Sequence, residues 1–312
     1  MTTAAQIVAP DRLELGEGIR WTGEGVVLVD ILTGRLFAAP DDSGGPLRQL
    51  ARLTEPLGAV TPVAGRAGTW IAAAGTGICL ISGRDESAMR SGNAAAEPPA
   101  RPEETAVRWL ARPEDRAALT MRMNDAVADP SGRFWAGSMA MDADEGAGSL
   151  YRVDHDGTVV RVLDGITVPN GPAFTADGTV MYLADSARGV IRRYALDPVT
   201  GGMGAPEPFV TVADGSPDGM VTDVEGALWV AVWGTGTVRR FLPDGTPDRV
   251  VRLPATQPAG VCLRSDVLHI TSARIGLTAP GPDDGAVFTT RVDVPGTPTP
   301  PYRPGGLAEA AS

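Results

Sequence analysis

The sequence contains no lysine, only two cysteines and two histidines, and few aromatic residues, which make up 5% of its 312 residues. All 27 basic residues are arginine, and the formal net charge is -11. A chain without a basic surplus cannot neutralise many phosphates, which argues against nucleic acid as the main partner. A cation is a more natural ligand for such a chain. The absence of lysine by itself indicates no function.

Long apolar runs are also absent, and no stretch approaches the roughly 18 apolar residues of a membrane span. The first ten residues, MTTAAQIVAP, lack the charged and apolar regions of a signal peptide. Cys79 and Cys262 lie in the apolar runs GICLIS and GVCLRS, without CxxC spacing or a nearby histidine. This pattern favours buried thiols over a disulfide or a metal pair. The sequence therefore predicts a soluble, cytoplasmic protein with no membrane partner.

What recurs instead is a unit of two short apolar strands joined by a turn. The 39 glycines and 27 prolines fit many short elements rather than long helices. Six such units are present, and their first strands are centred on Val27, Trp70, Trp135, Tyr182, Trp229 and His269. The units are 40 to 47 residues apart except for one step of 65 residues.

The long step contains residues 83–104, a polar stretch rich in alanine and proline without a strand pattern. We interpret this stretch as a flexible insert, favouring a surface loop over a lid above a pocket. Residues 295–312 form a tail rich in proline and glycine. Without the insert the repeat is even, which predicts one all-β domain over residues 1–312. A period of this length is typical of a six-bladed β-propeller with four-stranded antiparallel blades.

Four of the units share an oxygen-bearing residue eight positions before the glycine that opens a strand. The residues are Glu17, Asn124, Asn170 and Asp218, which precede Gly25, Gly132, Gly178 and Gly226. The same count reaches apolar Leu57 or Val60 in the second unit, and the sixth unit has no matching glycine. Each residue alone is an ordinary turn former, but side chains at one register of the inner strands converge on the propeller axis. Two carboxylates and two amides suit a hard divalent cation, Ca²⁺ ahead of Mg²⁺ or Mn²⁺, with Zn²⁺ as a further alternative.

Longer motifs surround these residues and cover nearly the whole chain: GEGIRW, RMNDAVADPSGRFWAGSM, PNGPAFTADGTVMYLADS and PDGMVTDVEGALWVAVWG. With them the sequence resembles the senescence marker protein, gluconolactonase and luciferin-regenerating enzyme family, which includes regucalcin. The resemblance implies one divalent metal bound by Glu17, Asn170 and Asp218 at the mouth of the propeller. It also implies that Arg122 and Asn124 contact the substrate, so Asn124 is nearer to the substrate than to the metal, or serves both.

Two departures from the family pattern concern the substrate. GSMAMDADEG leaves Asp142 as the nearest counterpart of a glutamate that holds substrate hydroxyls in relatives, one methylene shorter. Pro172 stands in NGPAF where relatives usually carry an apolar residue. Both bear on how a sugar would fit the pocket.

The function predicted from these residues is a metal-dependent lactonase that opens the ring of a sugar lactone or a related cyclic ester. The metal would polarise the carbonyl, and Asp218 would activate the attacking water. One alternative is another carbonyl reaction, an isomerisation or cyclisation in secondary metabolism, in the same pocket. A second is a non-catalytic calcium-binding propeller. A Ser-His-Asp triad is disfavoured because the sequence has no G-x-S-x-G motif.

Overall fold

The computed structural model describes residues 2–82 and 105–305 of the chain. Within these residues six antiparallel sheets are arranged as the blades of a ring, and each blade is a series of hairpins. The prediction of an all-β, six-bladed propeller with four-stranded blades is thus confirmed. The predicted insert at 83–104 and residues 306–312 of the predicted tail lie outside the described residues.

The strands follow each other from the inside of each blade to the outside. Blades 1 to 3 are β3–β6 (Gly16–Trp21, Val26–Asp30, Arg35–Ala38, Arg48–Arg52), β7–β10 (Leu57–Pro62, Thr69–Ala74, Gly77–Ser82, Ala106–Ala111) and β11–β14 (Met121–Ala128, Phe134–Ala140, Gly148–Val153, Val159–Ile166). Blades 4 and 5 are β15–β18 (Pro169–Phe174, Val180–Asp185, Val190–Leu196, Met203–Thr211) and β19–β22 (Ser216–Thr222, Leu228–Trp233, Thr237–Phe241, Pro247–Arg252). Blade 6 contains β23–β25 (Gln257–Arg264, Val267–Ala273, Val287–Arg291).

Two strands from the start of the chain complete the ring. β2 (Gln6–Ala9) pairs with β25 and is the outer strand of blade 6. β1 (Thr2–Ala4) runs parallel to β22 and adds a fifth strand to blade 5. The beginning of the chain therefore joins blades 5 and 6 and covers sheet edges that would otherwise be open.

The hydrophobic core is divided into six clusters, one between each pair of adjacent blades. Each blade contributes both faces of its sheet, which explains why most strands read as continuous apolar runs rather than alternating ones. The tryptophans of the repeat also fix the turns below them. Trp135 donates its indole N–H to Asp129, and Trp229 donates to Asp223, both over 2.9 Å.

All six inner strands begin at the same end of the ring, which we call the mouth. At the opposite end, residues 295–305, which we call the strap, run across the turns of five blades. Backbone hydrogen bonds join the strap to Val224, Ser265, Trp21, Pro62 and Gly132. A 3-10 turn, Ser186–Arg188, follows β16. No helix in the two described ranges has the length and apolar character needed to cross a membrane.

Candidate functional site

One position on each inner strand faces the axis near the mouth. In all six blades this position lies four residues before the last residue of the inner strand that pairs with the second strand of the blade. We call the six residues the axial ring: Glu17, Gly58, Asn124, Asn170, Asp218 and Gly260. Each inner strand also has a register shift around this position, where the backbone bulges toward the axis.

The two glycines of the axial ring lie where neighbouring atoms approach closely, a backbone at Gly58 and side chains at Gly260. A Cβ atom at Gly58 would lie 2.2 Å from the carbonyl oxygen of Asn124. A Cβ atom at Gly260 would lie 3.2 Å from Oε2 of Glu17. Blade 2 therefore contributes Gly58 at this register. Counting back eight residues from a turn glycine had reached Leu57 or Val60, which lie one and two residues away from Gly58.

Glu17 and Asp218 form a pair of buried carboxyl groups that lie close enough for each to shift the pKa of the other. Burial, followed by the charge of Asp125, raises the pKa of Glu17 to about 7. Burial also raises the pKa of Asp218 well above its usual value, with the charge of Glu17 as the next cause. Oδ1 of Asp218 is buried and has no hydrogen-bond partner. Two such carboxyl groups favour either a shared proton or a bound cation.

On the other side of the axis a chain of hydrogen bonds orients the two amides. Arg122 donates to Oδ1 of Asn124 over 2.6 Å, and Asn124 donates to Oδ1 of Asn170 over 2.7 Å. Asn170 in turn donates from Nδ2 to Oγ of Ser186 over 2.9 Å, and Ser186 donates to the backbone oxygen of Pro217. The amide oxygen of Asn170 is thereby turned toward Asn124 and away from the 3-10 turn.

Arg122 is buried beside the carboxyl pair. Burial lowers the pKa of Arg122 to about 10, while the charges of Glu17 and Asp218 raise it. The guanidinium therefore keeps its positive charge at neutral pH and can attract an electron-rich substrate oxygen next to the axis.

Asp125 is a buried carboxylate that the sequence analysis did not assign to the site. It accepts hydrogen bonds from the guanidinium of Arg20 and from the backbone N–H of Ala126, and its Oδ2 has no partner. Its charge contributes to the raised pKa of both Glu17 and Asp218. Asp125 stands in the quoted RMNDAV motif, so its position next to Asn124 was the available signal.

The structure brings together five of the six predicted site residues and leaves one apart. Asp142 lies in the turn after β12 and is exposed. Among the described residues no hydrogen bond or ion pair joins its carboxylate to the other five. Ser186 was missed because a serine after a strand carries no distinctive pattern.

The chain matches one known protein family over most of its length. Residues 15–274 match the model of the SMP-30/Gluconolactonase/LRE-like region. The chain belongs to this family. All axial ring residues lie within the matched range, so the SMP-30/gluconolactonase/LRE-like match includes the site as well as the blades.

Members of the SMP-30/gluconolactonase/LRE-like family with curated names are similar to this chain over different lengths. The 6-deoxy-6-sulfogluconolactonase of Pseudomonas putida is 33% identical over 294 residues, 90% of this chain and 92% of the relative. Pentonolactonase XacC of Haloferax volcanii is 36% identical over 195 residues, 58% of this chain and 66% of the relative, which is just under two thirds. The prediction of a lactonase-type family is confirmed by these names.

A solved structure agrees over nearly the entire chain. The crystal structure of the calcium-binding protein regucalcin from Agrobacterium tumefaciens is similar to this chain, with a TM-score of 0.82 and 28% identity. The superposition covers 97% of this chain and 99% of the regucalcin chain. The two proteins therefore share the same fold.

The residues around the axis suit a cation. Glu17, Asp125 and Asp218 supply three acidic groups against the two basic groups Arg20 and Arg122, and the free Oδ1 of Asp218 needs a partner. No group of three or more His, Cys, Asp or Glu side chains in the described part of the chain is arranged to hold a metal. A site here would therefore combine two carboxylates with an amide oxygen, a donor set that suits hard cations such as Ca²⁺.

Proposed function

We propose that this protein is a metal-dependent lactonase that hydrolyses a sugar lactone or a related cyclic ester. The observation that carries the proposal is the common register position of Glu17, Asn170 and Asp218, with the buried Arg122 close enough for the charges of Glu17 and Asp218 to raise its pKa. Relatives named lactonases support the reaction class. A calcium-binding relative supports a divalent metal, Ca²⁺ before Mg²⁺, Mn²⁺ or Zn²⁺.

Glu17, Asn170 and Asp218 would hold the metal through their side-chain oxygens. A divalent cation bound there supplies positive charge that polarises a lactone carbonyl and lowers the pKa of a neighbouring water. Arg122 and Asn124 would bind and orient the lactone, since their side chains are joined to each other and point to the same side of β11. Asp142 remains a predicted contact for substrate hydroxyls.

Asp218 is the proposed general base. It accepts a proton from the attacking water as the water oxygen bonds to the carbonyl carbon. The bond between that carbon and the ring oxygen then breaks, and the proton is delivered to the ring oxygen. The product is a hydroxy acid, and no other reactant is consumed.

The test is a pH-indicator screen of sugar and aliphatic lactones, with and without chelator and with each of the four metals. In Asp218→Asn with bound metal verified by calorimetry, we expect kcat to fall by roughly 100-fold or more, because a positioned base contributes at least about that factor. Asp244→Asn, in an exposed turn at the opposite end of the ring, serves as the control. A rate within a few fold of wild type in Asp218→Asn would make the base assignment wrong.

Two other outcomes would favour the alternatives. Tight Ca²⁺ binding without turnover of any lactone would favour a non-catalytic calcium-binding propeller. Metal-dependent conversion of a carbonyl compound without ring opening would favour an isomerase or cyclase. The buried position of Arg122 beside the carboxyl pair supports an enzyme, because calcium binding alone does not require a cation there.

A further inference from the structure

Ser186 is a buried serine in the 3-10 turn after β16, and its hydroxyl group joins the strands of two proposed metal ligands. Its Oγ accepts a hydrogen bond from Nδ2 of Asn170 over 2.9 Å and donates to the backbone oxygen of Pro217 over 2.5 Å. Asn170 is the axial ring residue of blade 4, and Pro217 directly precedes Asp218, the axial ring residue of blade 5. One hydroxyl group therefore contacts the ligand side chain of one blade and the ligand-bearing strand of the next.

The hydrogen-bond chain that passes through Asn170 has a fixed direction, because both of its ends are unambiguous. The guanidinium of Arg122, which donates to Asn124, can only donate, and the carbonyl of Pro217 can only accept. Between these ends, Asn124 donates to Oδ1 of Asn170, and Nδ2 of Asn170 donates to Ser186. A reversed Asn170 amide would place its NH₂ group against that of Asn124, and its oxygen against a hydroxyl whose proton is already donated. The chain therefore holds the amide oxygen of Asn170 on the side of the axial ring.

The backbone around Ser186 is anchored by groups other than the hydroxyl. The carboxylate of Asp185 accepts hydrogen bonds from the N–H of Thr167 over 3.1 Å and from the N–H of Val168 over 3.2 Å. The backbone N–H of Ser186 donates to the oxygen of Val168 over 3.0 Å. These bonds fix the end of β16 against the segment that leads into β15. Replacing the hydroxyl group would leave all of them in place.

Blade 1 makes the corresponding turn without a hydroxyl group. The carboxylate of Asp30 accepts from the N–H of Leu15 over 2.9 Å, and the N–H of the next residue, Ile31, donates to the oxygen of Leu15 over 3.0 Å. In both blades the aspartate is paired with the residue just before the axial ring residue, so Ile31 corresponds to Ser186. Ile31 is buried in the core, and the axial ring residue of its blade is the carboxylate Glu17. Both oxygens of a carboxylate can bind a cation, whereas only one end of an amide can. The hydroxyl group thus accompanies the blade whose proposed metal ligand is an amide, and the turn itself does not require it.

We propose that Ser186 is a positioning residue of the metal site, whose hydroxyl group keeps the amide oxygen of Asn170 available to the cation. The inference rests on the metal site of the proposed function and not on the reaction carried out there. Without the hydroxyl, Nδ2 of Asn170 loses its partner, and the amide can turn its oxygen away from the axial ring. Hydrogen-bond partners of metal ligands typically contribute roughly 10- to 100-fold to metal affinity.

The test is calorimetric titration of the full chain with Ca²⁺, Mg²⁺, Mn²⁺ and Zn²⁺, followed by comparison of the variants with the metal that wild type binds most tightly. We expect Ser186→Ala to raise the Kd by roughly tenfold or more. Ser131→Ala is the matched control, because the hydroxyl of Ser131 also donates to a proline carbonyl, that of Pro198 over 2.6 Å, at the opposite end of the ring. The control should bind the metal as wild type does. Urea titration in the presence of chelator would verify that both variants are folded.

A second variant shows whether the hydroxyl acts through the amide. A carboxylate at position 170 presents an oxygen to the cation in either orientation, so Asn170→Asp removes the need for a fixed amide. In the Asn170→Asp background, Ser186→Ala should therefore cost much less metal affinity than in the wild-type background. This comparison is a double-mutant cycle between the two positions, and it isolates their coupling from any general effect of losing a buried hydroxyl group.

The outcomes separate this inference from the function on which it rests. An unchanged Kd in Ser186→Ala, an equal loss of affinity in Ser131→Ala, or an equal cost in the Asn170→Asp background would overturn the positioning role alone. Failure of wild type to bind any of the four metals would overturn both the positioning role and the metal-dependent function. Metal binding that depends on Ser186, without turnover of any lactone, would support the positioning role and contradict the lactonase reaction.

Discussion

His269 should make the protein sensitive to mild acid. Its side chain is completely buried in blade 6, and neither ring nitrogen has a hydrogen-bond partner in the described structure. Burial lowers the pKa of His269 from 6.5 to about 4. Between these values the unfolded chain binds a proton that the folded protein excludes, so stability falls as the pH falls through this window. The full effect is about 3 kcal/mol, of which about 2 kcal/mol is lost by pH 5.

His269→Leu removes this proton and the two unpaired nitrogens. The free energy of unfolding would be measured by urea titration in the presence of chelator, at several values from pH 8 to pH 5. We expect the variant to gain about 2 kcal/mol over wild type at pH 5 relative to their difference at pH 8. The quantity to compare is the difference in unfolding free energy between the variant and wild type at each pH. This comparison is needed because the titration of Glu17 changes the stability of both proteins in the opposite direction. Its raised pKa makes the folded state bind the proton more readily, so acidification between about pH 7 and 4.5 stabilises the fold.

Cys262→Ala is the matched control, because Cys262 is the cross-strand partner of His269. Burial raises the pKa of the Cys262 thiol to about 12, so this variant should lose the same free energy at every pH in the range. If the difference between His269→Leu and wild type is the same at pH 5 and at pH 8, the reasoning about a neutral buried imidazole is refuted.

Two further substitutions test the axial ring and the strap. In Gly260→Ala the added methyl group would lie 2.8 Å from Oγ1 of Thr271 and 3.2 Å from Oε2 of Glu17. Because this overpacking crowds Glu17, calorimetry should show Ca²⁺ affinity reduced by roughly tenfold. Unchanged affinity would contradict the crowding of a metal ligand at Glu17. In Tyr302→Ala the strap loses a buried ring whose hydroxyl donates to the oxygen of Asp154 over 3.0 Å. Urea unfolding should show a loss of about 3 kcal/mol with an unaltered KM, and a changed KM would mean that the strap acts on the mouth.

The blades could be predicted from the sequence because each is a local unit. Each hairpin is marked in the sequence by its apolar runs and turn glycines. Trp135 and Trp229 recur because the indole N–H of each donates to an aspartate in the turn below. The closing strands could not be predicted in the same way. β2 is short and its partner β25 stands near the other end of the chain, so no local pattern marks the pairing.

Part of the site could also be predicted, because residues at a common distance from a turn glycine meet on the axis. Glu17, Asn124, Asn170 and Asp218 follow this rule, although their roles remain predictions. The rule failed at Gly58 because the turn glycines of blade 2, Gly65 and Gly68, do not lie eight residues after it. A glycine also has no side chain that would mark it as a site residue. Contacts between blades, such as that of Asn124 with Asn170, depend on how the strand ends are packed.

The pairing of β2 with β25 and of β1 with β22 has a consequence for biosynthesis. The earliest strands leave the ribosome with their partners not yet made, while blades 1 to 4 can form in order from neighbouring segments. Ring closure therefore waits until blade 6 has been synthesised, and during elongation the nascent chain exposes the unpaired edges of β1 and β2. Folding of this propeller is completed by an intramolecular contact of very long sequence separation, and the entropy of closing so long a loop slows that step.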